Sequence, residues 1–162
     1  MKLRTHKLPI LNAFNKDQLM MLKRANTEIG EIMPPIKILI RNMHFTLDKS
    51  NNGVGLAAPQ VGINIRLFVI HYKGSRMTVI NPTILYFDDN IKVEVEGCLS
   101  VPNVGVLMPR SESIRVSFTN ILGERIVDCV LHGFLARIFQ HEYDHLEGKL
   151  ISNFSTEDGI II

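Results

Sequence analysis

Apolar residues recur at helical spacing in two stretches of the chain and alternate with polar ones over much of what lies between. After Pro34-Pro35, the positions Ile36, Leu39, Ile40, Met43 and Leu47 share one helical face. This predicts a core-facing helix opened by the proline pair. The polar cluster Asp48-Lys49-Ser50-Asn51-Asn52 followed by Gly53 marks its end. From about Gly133 to Leu146 the pattern returns in Phe134, Ile138, Phe139 and Leu146, with Gly148 placed to stop a second helix. The residues ahead of Pro34 read as an irregular arm.

From Ile65 the texture changes to short β-rich runs: IRLFVIH, RMTVI, TILYF, then the turn Asp88-Asp89-Asn90, then IKVEVE. SIRVSF and RIVDCVL flank Asn120 to Gly123 and predict a hairpin. Strands in series between one early and one late helix lack the strand-helix alternation of a doubly wound sheet. The expected class is α+β, with antiparallel or mixed sheets packed around the C-terminal helix. No internal repeat or low-complexity tract interrupts the chain.

A chain of 162 residues, 46% of them hydrophobic, can bury one good core, so residues 1–162 are expected to form a single domain. Eighteen Lys and Arg against 16 Asp and Glu leave a net charge of +2, which calls for neither nucleic acid nor an anionic membrane. No apolar run approaches the ~20 residues that span a bilayer, and MKLRTHKLPILNAFNKDQ lacks the sustained apolar core of a signal peptide. The expectation is a cytoplasmic protein. Two cysteines, Cys98 and Cys129, are too few for a disulfide framework.

The stretch QHEYDHLEG lies on the second helix and places His141 and His145 four residues apart, with Glu142 beside the first. Four residues along a helix return to the same face, so both imidazoles can converge on one ion. Glu142 sits one step round, where a carboxylate can move protons on whatever the ion binds. Cys98 in EGCLS is the candidate third ligand, since a loop after a strand can present its sulfur and a thiolate beside two imidazoles suits a late first-row metal. A closed structural site of Cys98, Cys129, His141 and His145 is the rival. Against it, the cysteines are not closely spaced and Cys129 lies in the apolar strand IVDCVL, where it reads as core.

GVGLAAPQVG, from Gly53 to Gly62, formally fits a dinucleotide fingerprint. A polar segment precedes it in place of a strand, and Pro59 would disturb the helix that should bind phosphate, so no nucleotide cofactor is expected. Its glycines instead let backbone approach a ligand closely, and Gln60 supplies an amide donor.

GVGLAAPQ, EGCLS and QHEYDHLEG stand in one order, and together they resemble peptide deformylase from about Pro34 to Leu150. The resemblance implies a deformylase-like fold and a hydrolase that removes the formyl group from the N-terminal formylmethionine of new polypeptides. It implies Cys98, His141 and His145 as metal ligands, with water in the fourth position, and ferrous iron as the ion in the cell, while zinc, nickel or cobalt can also occupy the site. By motif position, Glu142 is the implied general base and acid, and Gln60 and the backbone N–H of Leu99 are the implied oxyanion donors. Gly55 would bond the substrate backbone, and Val54, Phe134 and Ile138 would line the methionine pocket. A metal cation lowers the pKa of bound water toward ~7, which is the chemistry such a site needs. Asp144 is expected to hold a partner, Arg110, that fixes the helix against the cysteine loop. Partners implied are N-formylmethionyl peptides and the ribosome, with the protein a monomer.

Two departures stand out. Where many members carry an arginine after EGCLSVP, this chain has Gly105, which predicts different peptide anchoring. The chain also ends at STEDGIII, which suggests a trimmed C-terminus whose Ile160-Ile161-Ile162 could pack as an edge strand or meet a partner. A zinc peptidase of the H-E-x-x-H kind and a catalytically impaired, deformylase-like binding protein are the alternatives.

Overall fold

The computed structural model describes residues 5–154; STEDGIII and its isoleucine tail lie outside the described residues. Two helices frame the strands. The first, Pro34–Asp48 (α2), starts at the proline pair, and the other, Gly133–Leu146 (α3), matches the predicted span. Gly148, at φ +68°, takes the left-handed conformation that turns the chain away from α3. A shorter helix, Lys16–Leu22 (α1), precedes them in the segment read as irregular. Its two turns begin where Asn15 Oδ1 accepts from the N–H groups of Asp17 and Gln18, an N-cap that compensates for too short a periodic run.

Among the described residues there are seven strands: Gly55–Ala57 (β1), Leu67–Tyr72 (β2), Ser75–Phe87 (β3), Ile91–Cys98 (β4), Val101–Ser111 (β5), Ser113–Thr119 (β6) and Arg125–His132 (β7). Five form one sheet in the order β1-β2-β3-β6-β7, while β4 and β5 form a separate hairpin, and every ladder is antiparallel. The fold is α+β, and the predicted β6–β7 hairpin is present.

The two runs RMTVI and TILYF are one strand, β3, bent where the register shifts between Ile80 and Thr83 and where Asn81 has φ 48°. VPNVGVLMPRS, which is not among the predicted strands, is β5. Its prolines are tolerated because a two-stranded sheet leaves each strand a free edge.

Strand β2 explains the layering. Phe68 and Ile70 pack with Ile138, Phe139 and Leu146 of α3, whereas Leu67 and Val69 pack with Ile40, Met43 and Leu47 of α2. A strand buried on both faces needs an unbroken apolar run, and LFVI provides it. A third, smaller cluster of Val101, Val106, Met108 and Ile151 backs the hairpin. Among the described residues no helix is long and apolar enough to cross a membrane.

Candidate active site

The three elements that carry the sequence motifs converge on one cavity of about 640 Å³. Edge strand β1 and the turn after it bring Val54, Gly55 and Gln60; the β4–β5 turn brings Cys98 and Leu99; α3 brings Phe134, Ile138, His141 and Glu142. His145 lies behind this wall, 2% exposed. Ligand atoms of Cys98, His141 and His145 all fall within 4.8 Å of one another, and Cys98 Sγ is 3.3 Å from His145 Nε2.

Cys129 is not in this cluster. It is a free thiol packed against the main core, so the closed four-ligand alternative is not formed.

The chemistry of the donor set fits a late divalent metal. Burial alone would raise the Cys98 thiol, but the imidazoles of His145 and His141 outweigh it and hold the group well below the usual thiol range. His141 Nδ1 bonds Glu96 Oε2 at 3.0 Å. Burial would raise the Glu96 carboxyl too, yet the bonds from His141 and Arg110 bring it down to about 2. An ionised carboxylate only accepts, so His141 donates through Nδ1, which makes Nε2 the nitrogen that an ion would take. His145 Nδ1 is buried without a hydrogen-bond partner among the described residues.

Glu142 lies in the same cavity and differs sharply from Glu96. It is 3% exposed, its Oε2 has no hydrogen-bond partner among the described residues, and burial pushes its carboxyl up to about 7 against the pull of His141 and His145. Its place explains Gly55. A Cβ at that position would come within 2.2 Å of Glu142 Oε1, so only glycine lets β1 pass this close.

Strand β1 also offers an open edge. The Val54 carbonyl accepts from His71 N–H at 2.8 Å, which makes Val54 and His71 a bonded pair of the ladder. The neighbouring pair, Gly55 and Ile70, is then non-bonded, so the N–H and C=O of Gly55 face away from β2. Two residues on, Ala57 N–H points the same way and donates to Gln60 Oε1 at 2.8 Å. That bond fixes the amide, leaving Nε2 directed at Ser100 Oγ (3.2 Å) and Cys98 Sγ (3.6 Å).

The expected tie between Asp144 and Arg110 is present at 2.5 Å, with Arg110 also bonding both oxygens of Glu96 at 3.0 Å. Gly105 lies on β5, where a Cβ would come within 2.9 Å of Val95 Cγ1. The valine covers that position and itself lines the cavity. Sequence reasoning missed Glu96 and Ser100. The signal for Glu96 was the alternation in IKVEVE, whose valines Val93 and Val95 are exposed while Glu96 is buried.

A family model for polypeptide deformylase matches residues 8–158. The chain belongs to the polypeptide deformylase family. Among curated relatives, the peptide deformylase of Dictyoglomus turgidum is 41% identical over 140 residues, covering 86% of this chain and 90% of the relative. That of Thermotoga petrophila is 51% identical over 100 residues, 62% of this chain, and the match spans 60% of that relative's length. The crystal structure of the Thermotoga maritima peptide deformylase superposes with a TM-score of 0.84 at 38% identity, covering 91% of this chain and 97% of the other. A deformylase from Synechococcus elongatus in complex with actinonin gives 0.82 at 33%, covering 93% and 82%. The Met-Ala-Ser complex of the Acinetobacter baumannii deformylase gives 0.84 at 31%, covering 93% and 99%.

Proposed function

We propose that this protein is a metal-dependent peptide deformylase, which hydrolyses the formamide of N-formylmethionyl polypeptides and releases formate. The observation that carries the reading is a Cys98-His141-His145 cluster at the wall of one cavity, paired there with a buried Glu142 whose Oε2 has no hydrogen-bond partner among the described residues. Cys98, His141 and His145 would hold a single divalent ion, ferrous iron in the cell, which would supply Lewis acidity toward the formyl carbonyl and make water a nucleophile at neutral pH.

The chain's own groups do the rest. Glu142 takes the proton of the attacking water and returns it to the departing amine, a role that suits a carboxyl near neutrality. Gln60 Nε2 and the Leu99 N–H face the charge that builds on the formyl oxygen. The peptide lies along the open edge of β1 at Gly55, with its methionine side chain among Val54, Phe134 and Ile138. The Met-Ala-Ser complex of the Acinetobacter relative supports a short peptide as ligand. The chain acts as one catalytic domain, a cytoplasmic monomer that meets its substrates as they leave the ribosome.

The test is formate release from formyl-Met-Ala-Ser by protein loaded anaerobically with ferrous iron, run beside unformylated Met-Ala-Ser. Formate from the first and no cleavage of the second is the expected result. Cleavage of the unformylated peptide would make the protein a peptidase. No reaction from protein shown to hold its metal would leave a binding protein.

A further inference from the structure

Arg137 is a buried cation that the proposed reaction does not use. It leaves α3 one turn before His141 and is 5% exposed. Its Nε pairs with Glu94 Oε2 at 3.0 Å, its Nη1 donates to Glu96 Oε1 at 2.7 Å and to the Met108 carbonyl at 3.0 Å, and its Nη2 donates to the Lys92 carbonyl at 2.6 Å. All four acceptors belong to the β4–β5 hairpin, on both of its strands.

That hairpin turns at Cys98, while His141 and His145 stand on α3, and among the described residues no strand pairing joins the hairpin to the larger sheet. The ligand cluster therefore straddles a seam. Arg110 grips Glu96 from within the same hairpin and crosses to α3 through Asp144. Arg137 crosses from α3 to both hairpin strands and to the carboxylate that orients His141. A planar guanidinium with several bonds fixes distance and rotation together, which a point charge cannot do.

We infer that Arg137 is a positioning residue of the metal centre, which seats the Cys98-bearing hairpin on α3 and holds Glu96 in the rotamer that aims His141. The inference rests on the metal-dependent reading of the site. Outer partners of ligating histidines are worth about 10- to 100-fold in metal affinity, and the same scale is expected here.

The experiment is cobalt affinity by competition with a chromophoric chelator, together with the visible ligand-field spectrum of the cobalt protein. Wild type, Arg137→Met and Arg137→Lys are compared, and the surface variant Arg115→Met serves as control. Arg137→Met should bind cobalt about 10- to 100-fold more weakly with an altered spectrum, Arg137→Lys should fall between, and the control should match wild type. A purely structural residue would lower thermal stability and leave affinity and spectrum unchanged, which overturns the inference. So would a raised KM for formylated peptide with unchanged affinity, since Arg137 would then be a peptide contact. If Arg137→Met does not fold, Arg137→Lys decides: unchanged affinity and spectrum overturn the inference, and weaker binding with a changed spectrum supports it. Cobalt affinity is read without substrate, so a wild type that binds cobalt yet releases no formate fails the functional reading and leaves this one standing.

Discussion

His44 and His71 stack with ring centroids 5.0 Å apart and planes 7° from parallel, whereas His141 and His145 stand at 5.1 Å and 73°. In the first pair His44 Nδ1 and His71 Nε2 bond each other at 2.8 Å, and the outer nitrogens meet Thr78 Oγ1 at 2.9 Å and Asp48 Oδ1 at 3.3 Å. Every ring nitrogen is used. The second pair makes no bond between its rings, and one nitrogen of each faces the Cys98 side. Proximity of imidazoles does not make a metal site. Ring nitrogens that converge with a thiol on one point make a candidate for one, and the four-residue helical spacing of QHEYDH places them so.

The two buried glutamates repeat the lesson. Glu96 accepts from Arg110, Arg137 and His141 and is held near 2, while Glu142 has an oxygen with no partner and sits near 7. A saturated carboxylate is scaffolding and an unsaturated one is available for protons. The following variants test whether that division is real, from the largest expected effect to the smallest.

His145→Ala should abolish stoichiometric metal binding and formate release together, as measured by metal analysis after dialysis. Glu142→Gln should lower kcat by about 10²- to 10⁴-fold while metal content stays at wild type. The same variant tests the pKa assignment. In metal-free protein the folded value of about 7 lies above the ordinary 4.5, so the folded state binds more protons between these limits and loses stability as pH rises through them. Urea unfolding of the metal-free Glu142→Gln variant should show less of that decline. Gln60→Ala should cost kcat about 10²-fold with metal content unchanged, which separates an oxyanion donor from a ligand. Glu96→Gln should weaken metal affinity by about 10- to 100-fold in chelator competition.

The smallest effect belongs to the saturated histidines. Burial, the neighbouring His71 and Arg76 together lower His44 to about 4 against the opposing pull of Asp48. The unfolded chain then binds more protons between its ordinary 6.5 and that value, so stability falls as pH drops through this window. Allowing for partial solvent access, the contribution is on the order of 1–2 kcal/mol. Urea unfolding at pH 7 and pH 5 should show a smaller loss in His44→Gln.

How much could be read from the chain follows from how local each signal is. The candidate ligands His141 and His145 sit within five residues of one helix, and Gln60 and Cys98 lie in short motifs, so those positions needed no three-dimensional knowledge. Strand β5 was hidden because Pro102, Gly105 and Pro109 mimic loop composition, and α1 because two turns hold too few apolar positions. The Glu96 network was hidden for a different reason: its members Arg110, Arg137 and His141 are 14, 41 and 45 residues away. In β4 the usual pattern is also inverted, with valines outward and a glutamate inward. Buried charge is affordable only through such distant partners, and a linear pattern does not reveal them.

The most direct test of the division between the two glutamates is a single-sample comparison. Wild type and Glu142→Gln are each loaded with ferrous iron, iron is quantified, and formate release from formyl-Met-Ala-Ser is timed. Equal iron with release lost in the variant is the predicted result. Equal iron with equal release would contradict the account, because the unpartnered carboxylate would then have no part in the chemistry.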